Sequence, residues 1–165
     1  NLAQLIHGGN RMARLAEEQN AYVLKFGETA PPDYLVAAHQ KGLRLMDILT
    51  SNYRTGRTGN EILAASLQQA KNEGLEPSIY THPIGYHGHA AGPTIGMWDN
   101  QGPTPGQGDW PLHPNTVYAI EGNIKQAIPE WGGQLVQMKL EQSALFDGER
   151  VIYLAGRQTR WHVVR

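Results

Sequence analysis

The chain has no cysteine, and no apolar run in it approaches the length of a membrane span. Without cysteine, disulfide bonds and thiolate metal sites are excluded, so imidazole and carboxylate are the strong metal ligands that remain. Such ligands favour hard or borderline divalent ions. Because a bilayer span needs roughly 20 apolar residues, we expect a soluble chain with no membrane partner.

Charge is also scarce in this sequence. Only 18% of the residues are charged and the formal net charge is −1, so no strong electrostatic field is expected. Nucleic acid is therefore a poor candidate partner. The chain begins at Asn1 and lacks an initial methionine. We interpret it as a processed chain or a fragment of a longer parent that has lost an upstream domain or an export signal, and its compartment, cytoplasmic or exported, stays open.

The spacing of apolar residues predicts two helices in the first half of a single domain, residues 1–165. Apolar side chains recur at helical spacing from Pro32 to about Tyr53. A second helix is expected from Thr58 to Gly74, because Thr58 and Glu61 have the capping-box spacing. Short β-prone segments lie at 21–24, 117–124, 134–140, 151–154 and 161–164, and a long Gly- and Pro-rich loop separates Trp98 from Asn115.

The densest reactive cluster is Thr81-His82-Pro83-Ile84-Gly85-Tyr86-His87-Gly88-His89, in which three imidazoles lie within eight residues. Glycine permits close backbone approach, so these histidines can converge on an ion or a substrate. Histidines in glycine-rich loops also commonly hydrogen-bond to backbone alone. Spacing by itself leaves both interpretations open.

Two glutamates lie inside β-prone segments, where a carboxylate requires an explanation. Glu121 is flanked by apolar residues, and strand alternation places it on the face of Ala119 and Asn123. Glu141 shares its face with Lys139, which also fits a solvated surface. Burying an unpaired carboxylate costs on the order of several kcal/mol. A metal ion or another cationic partner is the natural compensation.

Three segments, in this order, resemble the signature of the pita-bread peptidases, a family that includes methionine aminopeptidase, aminopeptidase P, prolidase and creatinase. His82-Pro83-Ile84-Gly85, with His89 seven residues after His82, resembles the family's His-Gly-Ile-Gly…His motif. The segments 115–121 and 139–141 resemble the strands that carry its first and last ligand glutamates. The resemblance covers residues 21–165 and implies an α+β pita-bread fold.

The resemblance implies a metal-dependent aminopeptidase or dipeptidase that hydrolyses Xaa-Pro peptides with a metal-activated water. It implies His82, Glu121 and Glu141 as ligands of one or two Mn, Co or Zn ions, and Glu121 also as the proton acceptor. His89 is expected to contact the substrate carbonyl. Candidates for the proline pocket, which more often are packing residues, are Tyr86, Trp98 and the Trp110-Pro111 loop. Relatives are often dimers, so a homodimer is a further expectation.

The chain lacks the two aspartates that the resemblance places on a strand pair before residue 21. Its first aspartate is Asp33, and the available substitutes are Glu17 or Glu18 and His7 or Asn10. We therefore expect a fold that is incomplete at this strand pair. Three alternatives follow: an active parent enzyme of which part is missing here, a single-metal site with altered ligands, or a non-hydrolytic relative without metal that binds peptides or serves as a scaffold. A metal-independent creatinase-like hydrolase is a fourth.

Overall fold

The computed structural model describes residues 2–6 (backbone), 18–86 and 88–165. Two helices pack on one face of an eight-stranded, mostly antiparallel sheet, which confirms the predicted α+β class. The strands are β1 (Leu2–Ile6), β2 (Glu18–Val23), β3 (Glu76–Ile79), β4 (His82–Pro83), β5 (Thr116–Ile128), β6 (Gln134–Phe146), β7 (Val151–Tyr153) and β8 (His162–Val164), and the helices are α1 (Asp33–Ser51) and α2 (Gly59–Asn72).

Both helices form where the sequence predicts them. The apolar face of α1 is buried, and its predicted residues Leu35, Ala38, Leu45, Ile48 and Leu49 are fully buried. At the start of α2 the Glu61 amide donates to the Thr58 hydroxyl at 3.2 Å, and the Thr58 amide donates to the Glu61 carboxylate at 2.8 Å. The predicted capping box is thus confirmed. Within the described residues, neither helix combines the length and the apolar character needed to cross a bilayer.

The long hairpin of β5 and β6 forms the centre of the sheet. The strands run in the order β1-β2-β6-β5-β3, with β4 also on β5, β7 on β6 and β8 parallel to β2. The β5–β6 register is continuous from Thr116 opposite Phe146 to Ile128 opposite Gln134. Because side chains alternate between faces, one face packs against the helices and the other is left for polar residues. The helix-facing residues include Ile120, Ile124, Met138 and Leu140, all at most 2% exposed.

Three short strands were not predicted, and the two central strands are longer than predicted. The additional strands are β1, β3 and β4, whereas β5 and β6 extend beyond the predicted 117–124 and 134–140. The N-terminal strand pair, expected to be incomplete, has a backbone pairing from Leu2 opposite Tyr22 to Ile6 opposite Glu18. Its connection, residues 7–17, lies outside the described residues, and with it His7, Asn10 and Glu17. The predicted loop from 98 to 115 is irregular apart from a short 3-10 turn at Gln107–Asp109.

Candidate functional site

A row of three carboxylates crosses three adjacent strands on the face of the sheet opposite the helices. Glu121 of β5 is paired in register with Glu141 of β6. Glu141 is in turn paired with Glu18 of β2. Directly opposite residues have Cβ atoms about 4.5–5.5 Å apart and point to the same face. Strand pairing therefore brings together glutamates that are far apart along the chain.

His82 lies in β4, where it pairs with Ala119 of β5. Its imidazole adjoins the row of carboxylates. His82 is only 5% exposed. Its Nδ1 lies 2.9 Å from the Pro83 carbonyl oxygen. Since a carbonyl only accepts hydrogen bonds, Nδ1 carries the hydrogen and Nε2 keeps its lone pair. Burial lowers the pKa of His82; the hydrogen bond to Pro83 opposes this effect and nearby His89 adds to it. The imidazole is thus held in its neutral, metal-binding form.

The glycine-rich loop after β4 folds back and stacks His89 on His82. The two imidazole centroids are 3.9 Å apart and the ring planes differ by 16°. The Gly88 amide donates to the Gly85 carbonyl, and the Ala90 amide donates to the Pro83 carbonyl, each at 3.0 Å. A Cβ atom at position 85 would lie 2.8 Å from the His89 carbonyl oxygen, so the loop requires glycine there. His87, to which no role is assigned, lies outside the described residues.

Glu121 has the most strongly perturbed carboxyl group of the site. Burial, together with the carboxylates of Glu141 and Glu18, raises the pKa of Glu121 to about 8, and Lys139 offsets this only in part. Such a shift means that the folded chain does not favour a negative charge at this position. A cation bound among these carboxylates would restore the charged form.

The ligand set fits one divalent ion. One ligand atom each of His82, Glu121 and Glu141 can be chosen so that all three lie within 4.8 Å of one another. Ligands at about 2.1 Å from one ion are at most about 4.2 Å apart, so only small side-chain adjustments are needed. One imidazole and two carboxylates suit a hard or borderline ion such as manganese, cobalt or zinc. Without the two aspartates, the described residues do not supply ligands for a second ion.

A polar cleft of about 390 Å³ lies beside these ligands on the same face of the sheet. Its lining includes Glu18, Tyr80, Trp98, Glu121, Asn123 and Lys139. Of the predicted proline-pocket candidates, Trp98 thus lines the cleft, although its side chain is 74% exposed. Tyr86 and Trp110 are 83% and 48% exposed and do not line it. Their part in substrate binding stays a prediction.

Tyr80 was not among the predicted site residues, yet it links several of them. Its amide donates to the Glu121 carbonyl at 3.2 Å. Its ring centroid lies 5.2 Å from that of His82, and its hydroxyl lies 3.2 Å from Nε2 of His89. Burial, with Glu121 and Glu141 nearby, raises the pKa of Tyr80, so the phenol stays protonated. The one sequence signal was its position two residues before His82, which puts both side chains on one face of an extended segment.

Several solved structures are similar to this chain. X-Pro aminopeptidase from Thermotoga maritima superposes with a TM-score of 0.64 at 18% identity, over 90% of this chain and 37% of that one. Xaa-Pro dipeptidase from Bacillus anthracis gives 0.62 at 16%, over 90% and 37%. Methionine aminopeptidase from Rickettsia prowazekii gives 0.56 at 14%, over 84% and 57%. The chain therefore spans little more than a third of the first two proteins.

No protein-family model matches the sequence, and no curated protein matches it significantly. At such low identities the structural similarity establishes the fold alone. All three similar structures are peptidases by name. The predicted fold is confirmed by this similarity, which extends over nine-tenths of the chain for the first two.

Proposed function

We propose that this chain, which has the pita-bread fold, is the metal-binding part of a metal-dependent aminopeptidase or dipeptidase that hydrolyses the amide bond of Xaa-Pro peptides. The observation that supports this proposal is the convergence of His82, Glu121 and Glu141 within 4.8 Å. These residues come from three strands and lie beside a cleft large enough for a short peptide. The likeness to an X-Pro aminopeptidase and an Xaa-Pro dipeptidase supports the substrate class.

Each residue of the candidate site has its own role in the proposed hydrolysis. When bound, a divalent ion supplies Lewis acidity, which makes water a better nucleophile at neutral pH. His82, Glu121 and Glu141 would hold that ion. Glu121, which borders the cleft, also accepts the proton that the attacking water loses. Tyr80 lines the cleft and His89 stacks on His82, so that they can orient the substrate carbonyl. The water oxygen then adds to the carbonyl carbon, and the amide C–N bond breaks as the proton held by Glu121 passes to the leaving nitrogen.

Glu18 is part of this proposal as a fourth ligand. It takes the place of one of the aspartates that the family resemblance implies, because its strand β2 pairs with β6 at the Glu18–Glu141 position. It lines the cleft with Glu121, and it contributes to the raised pKa of that residue. A Glu side chain is one methylene longer than that of Asp, so Glu18 could extend toward an ion held by His82, Glu121 and Glu141 from a slightly more distant strand position. This ligand set supports a single-metal site.

The experiment combines metal analysis with a peptidase assay. After incubation with manganese, cobalt or zinc and dialysis, we expect one ion per chain and release of the N-terminal residue from an Xaa-Pro peptide. His82→Ala should lose both properties, because it removes the only imidazole of the ligand set. His113→Ala is the matched control, since His113 is an exposed histidine outside the site. A correctly folded chain with no hydrolysis in any of the three metals would contradict the proposal.

A second candidate function is peptide binding without hydrolysis. It is favoured by one observation: the first aspartate of the chain is Asp33, at the start of α1, so neither aspartate of the family's ligand set is present. In that case the cleft would bind Xaa-Pro peptides with equal affinity with and without metal, and elemental analysis would find no stoichiometric ion. The same dialysed samples distinguish the two functions.

A further inference from the structure

Tyr80 is the aromatic side chain that connects the stacked histidines to the cleft. It follows β3 directly, and its backbone is fixed to β5 by the hydrogen bond from its amide to the Glu121 carbonyl. The next residue, Thr81, is fully buried and strengthens this attachment, because its hydroxyl bonds both the amide and the carbonyl of Glu121 at 3.0 and 3.1 Å. The position of Tyr80 relative to Glu121 is therefore set by three hydrogen bonds.

The side chain of Tyr80 connects His89 with the cleft. Tyr80 lines the cleft, whereas His89 does not. The tyrosine oxygen is 3.2 Å from Nε2 of His89, and the two ring centroids are 6.4 Å apart. His89 is held in turn by its stacking on His82. A substrate in the cleft would thus contact Tyr80, whose hydroxyl adjoins the imidazole of His89.

A phenol hydroxyl has one hydrogen to donate and two lone pairs to accept with. When Nε2–H of His89 donates to the Tyr80 oxygen, the hydroxyl hydrogen is directed away from His89 and is available to a second acceptor. An acceptor that gains negative charge during hydrolysis, such as the oxygen of the scissile carbonyl, is stabilised most by a donor held in place beforehand. The three rings provide such a fixed donor beside Glu121.

We infer that the Tyr80 hydroxyl donates the hydrogen bond that stabilises the scissile carbonyl oxygen as the amide is hydrolysed, and that His89 is a positioning residue acting through Tyr80. This inference rests on the proposed function, and it assigns to Tyr80 the contact that the sequence resemblance implies for His89. The hydrogen bond changes no oxidation state and transfers no proton. It strengthens as charge builds on the carbonyl oxygen.

The test compares two unreactive Xaa-Pro analogues on the metal-loaded chain by calorimetry. A phosphinic analogue resembles the tetrahedral transition state, and a ketomethylene analogue retains a planar carbonyl. Loss of one such donor typically costs about 100-fold or more in transition-state binding. Tyr80→Phe should therefore weaken the phosphinic analogue by about 100-fold and the ketomethylene analogue by less than about fivefold. Tyr34→Phe is the matched control, because Tyr34 also loses a hydroxyl bonded to a ring N–H, that of Trp131 at 3.1 Å.

The positioning role of His89 has its own readout. His89→Ala should weaken the phosphinic analogue in the wild-type background but add little to Tyr80→Phe, since residues that act as a unit are not additive. His89→Gln, whose amide can donate to the same oxygen, should restore part of the loss. Additive effects of His89→Ala and Tyr80→Phe would show that His89 contacts the substrate by itself, which overturns the inference.

The outcomes separate this inference from the proposed function. Peptide hydrolysis that is unaffected by Tyr80→Phe keeps the function and overturns the role of Tyr80. Absent hydrolysis, with phosphinic binding that depends on the Tyr80 hydroxyl, overturns the proposed function and supports only the hydrogen bond from Tyr80 to a tetrahedral group. The inference is overturned if Tyr80→Phe loses affinity for both analogues equally, or if the wild-type chain does not bind the phosphinic analogue. If Tyr80→Phe does not fold, 3-fluorotyrosine at position 80, a stronger donor of nearly the same size, should tighten phosphinic binding, and unchanged or weaker binding would contradict us.

Discussion

The two faces of the β5–β6 hairpin differ completely in what they contribute, although they alternate along the same residues. The helix face carries Ile120, Ile124 and Leu140, all buried in the core. The cleft face carries Glu121, whose pKa is raised because its carboxyl group is shielded from water and lies near other carboxylates. Stability thus comes from one face and chemistry from the other. Neighbouring positions on one strand should therefore respond to substitution in opposite ways.

The largest expected effect comes from the helix face. Ile120→Ala should lower the free energy of unfolding by about 2–5 kcal/mol, because it removes buried methyl groups and leaves a cavity. Denaturant unfolding of the metal-free chain measures this loss. Val163→Ala, at a position that is 45% exposed, is the control and should change stability by less than about 0.5 kcal/mol. A loss at Ile120 as small as that of the control would contradict the division between the faces.

The adjacent residue should show the opposite sign. Between pH 4.5 and about 8 the folded metal-free chain holds a proton on Glu121 that the unfolded chain releases. The free energy of unfolding should therefore fall as pH rises through this window. Glu121→Gln should flatten this decline and raise the melting temperature at pH 8. Thermal melts in a chelator at pH 5, 6.5 and 8 measure it, with the exposed Glu149→Gln as control. If the melting temperature depends on pH identically in both variants, Glu121 is not a buried carboxyl group with a raised pKa.

A smaller effect is expected at the third member of the carboxylate row. Glu18→Gln should weaken metal binding by about tenfold or more, because even changes to residues that only support the metal ligands cost about 10- to 100-fold. The melting temperature of the metal-free chain should stay within a degree or two. Metal titration by calorimetry measures the affinity. Glu76→Gln is the matched control, because Glu76 also lines the cleft but pairs with Lys125 instead of Glu141. Equal affinities of the two variants would remove Glu18 from the ligand set.

The smallest effect belongs to the helical layer. Thr58→Ala should cost about 1 kcal/mol of stability, because it removes the side-chain half of the capping box on α2. Metal affinity per folded molecule should not change, since α2 lies on the face away from the cleft. A shift in affinity along with stability would show that the two faces are coupled.

The local parts of the fold were predictable from sequence. The capping box of α2 and the buried stripe of α1 depend on residues three or four positions apart, and both appear where expected. The alternation along β5 and β6 likewise placed Glu121 and Glu141 on defined faces. In contrast, β3 and β4 span four and two residues, and β3 contains Pro77. They form strands only because they pair with β5, a segment that is distant in the sequence.

The individual residues of the candidate site were easier to predict from sequence than the contacts between them. His82, Glu121 and Glu141 were identified by their motifs, and the structure brings their ligand atoms together. Glu18 had no motif, because its relation to Glu141 depends on the β2–β6 register. Tyr80 had none either, since its contact with His89 arises only when the loop folds back at Gly85. Contacts made through tertiary pairing leave no fixed spacing in the sequence.

The uninterrupted pairing of β5 with β6 also limits how this cleft can be altered. Thirteen consecutive residues of each strand are paired. A shift by one residue would turn the carboxylates into the core and the isoleucines into the cleft. Groups can therefore be relocated along the hairpin only in increments of two residues, about 7 Å. For an engineer who wishes to lengthen or shorten the peptide that this cleft admits, that increment is the smallest step available.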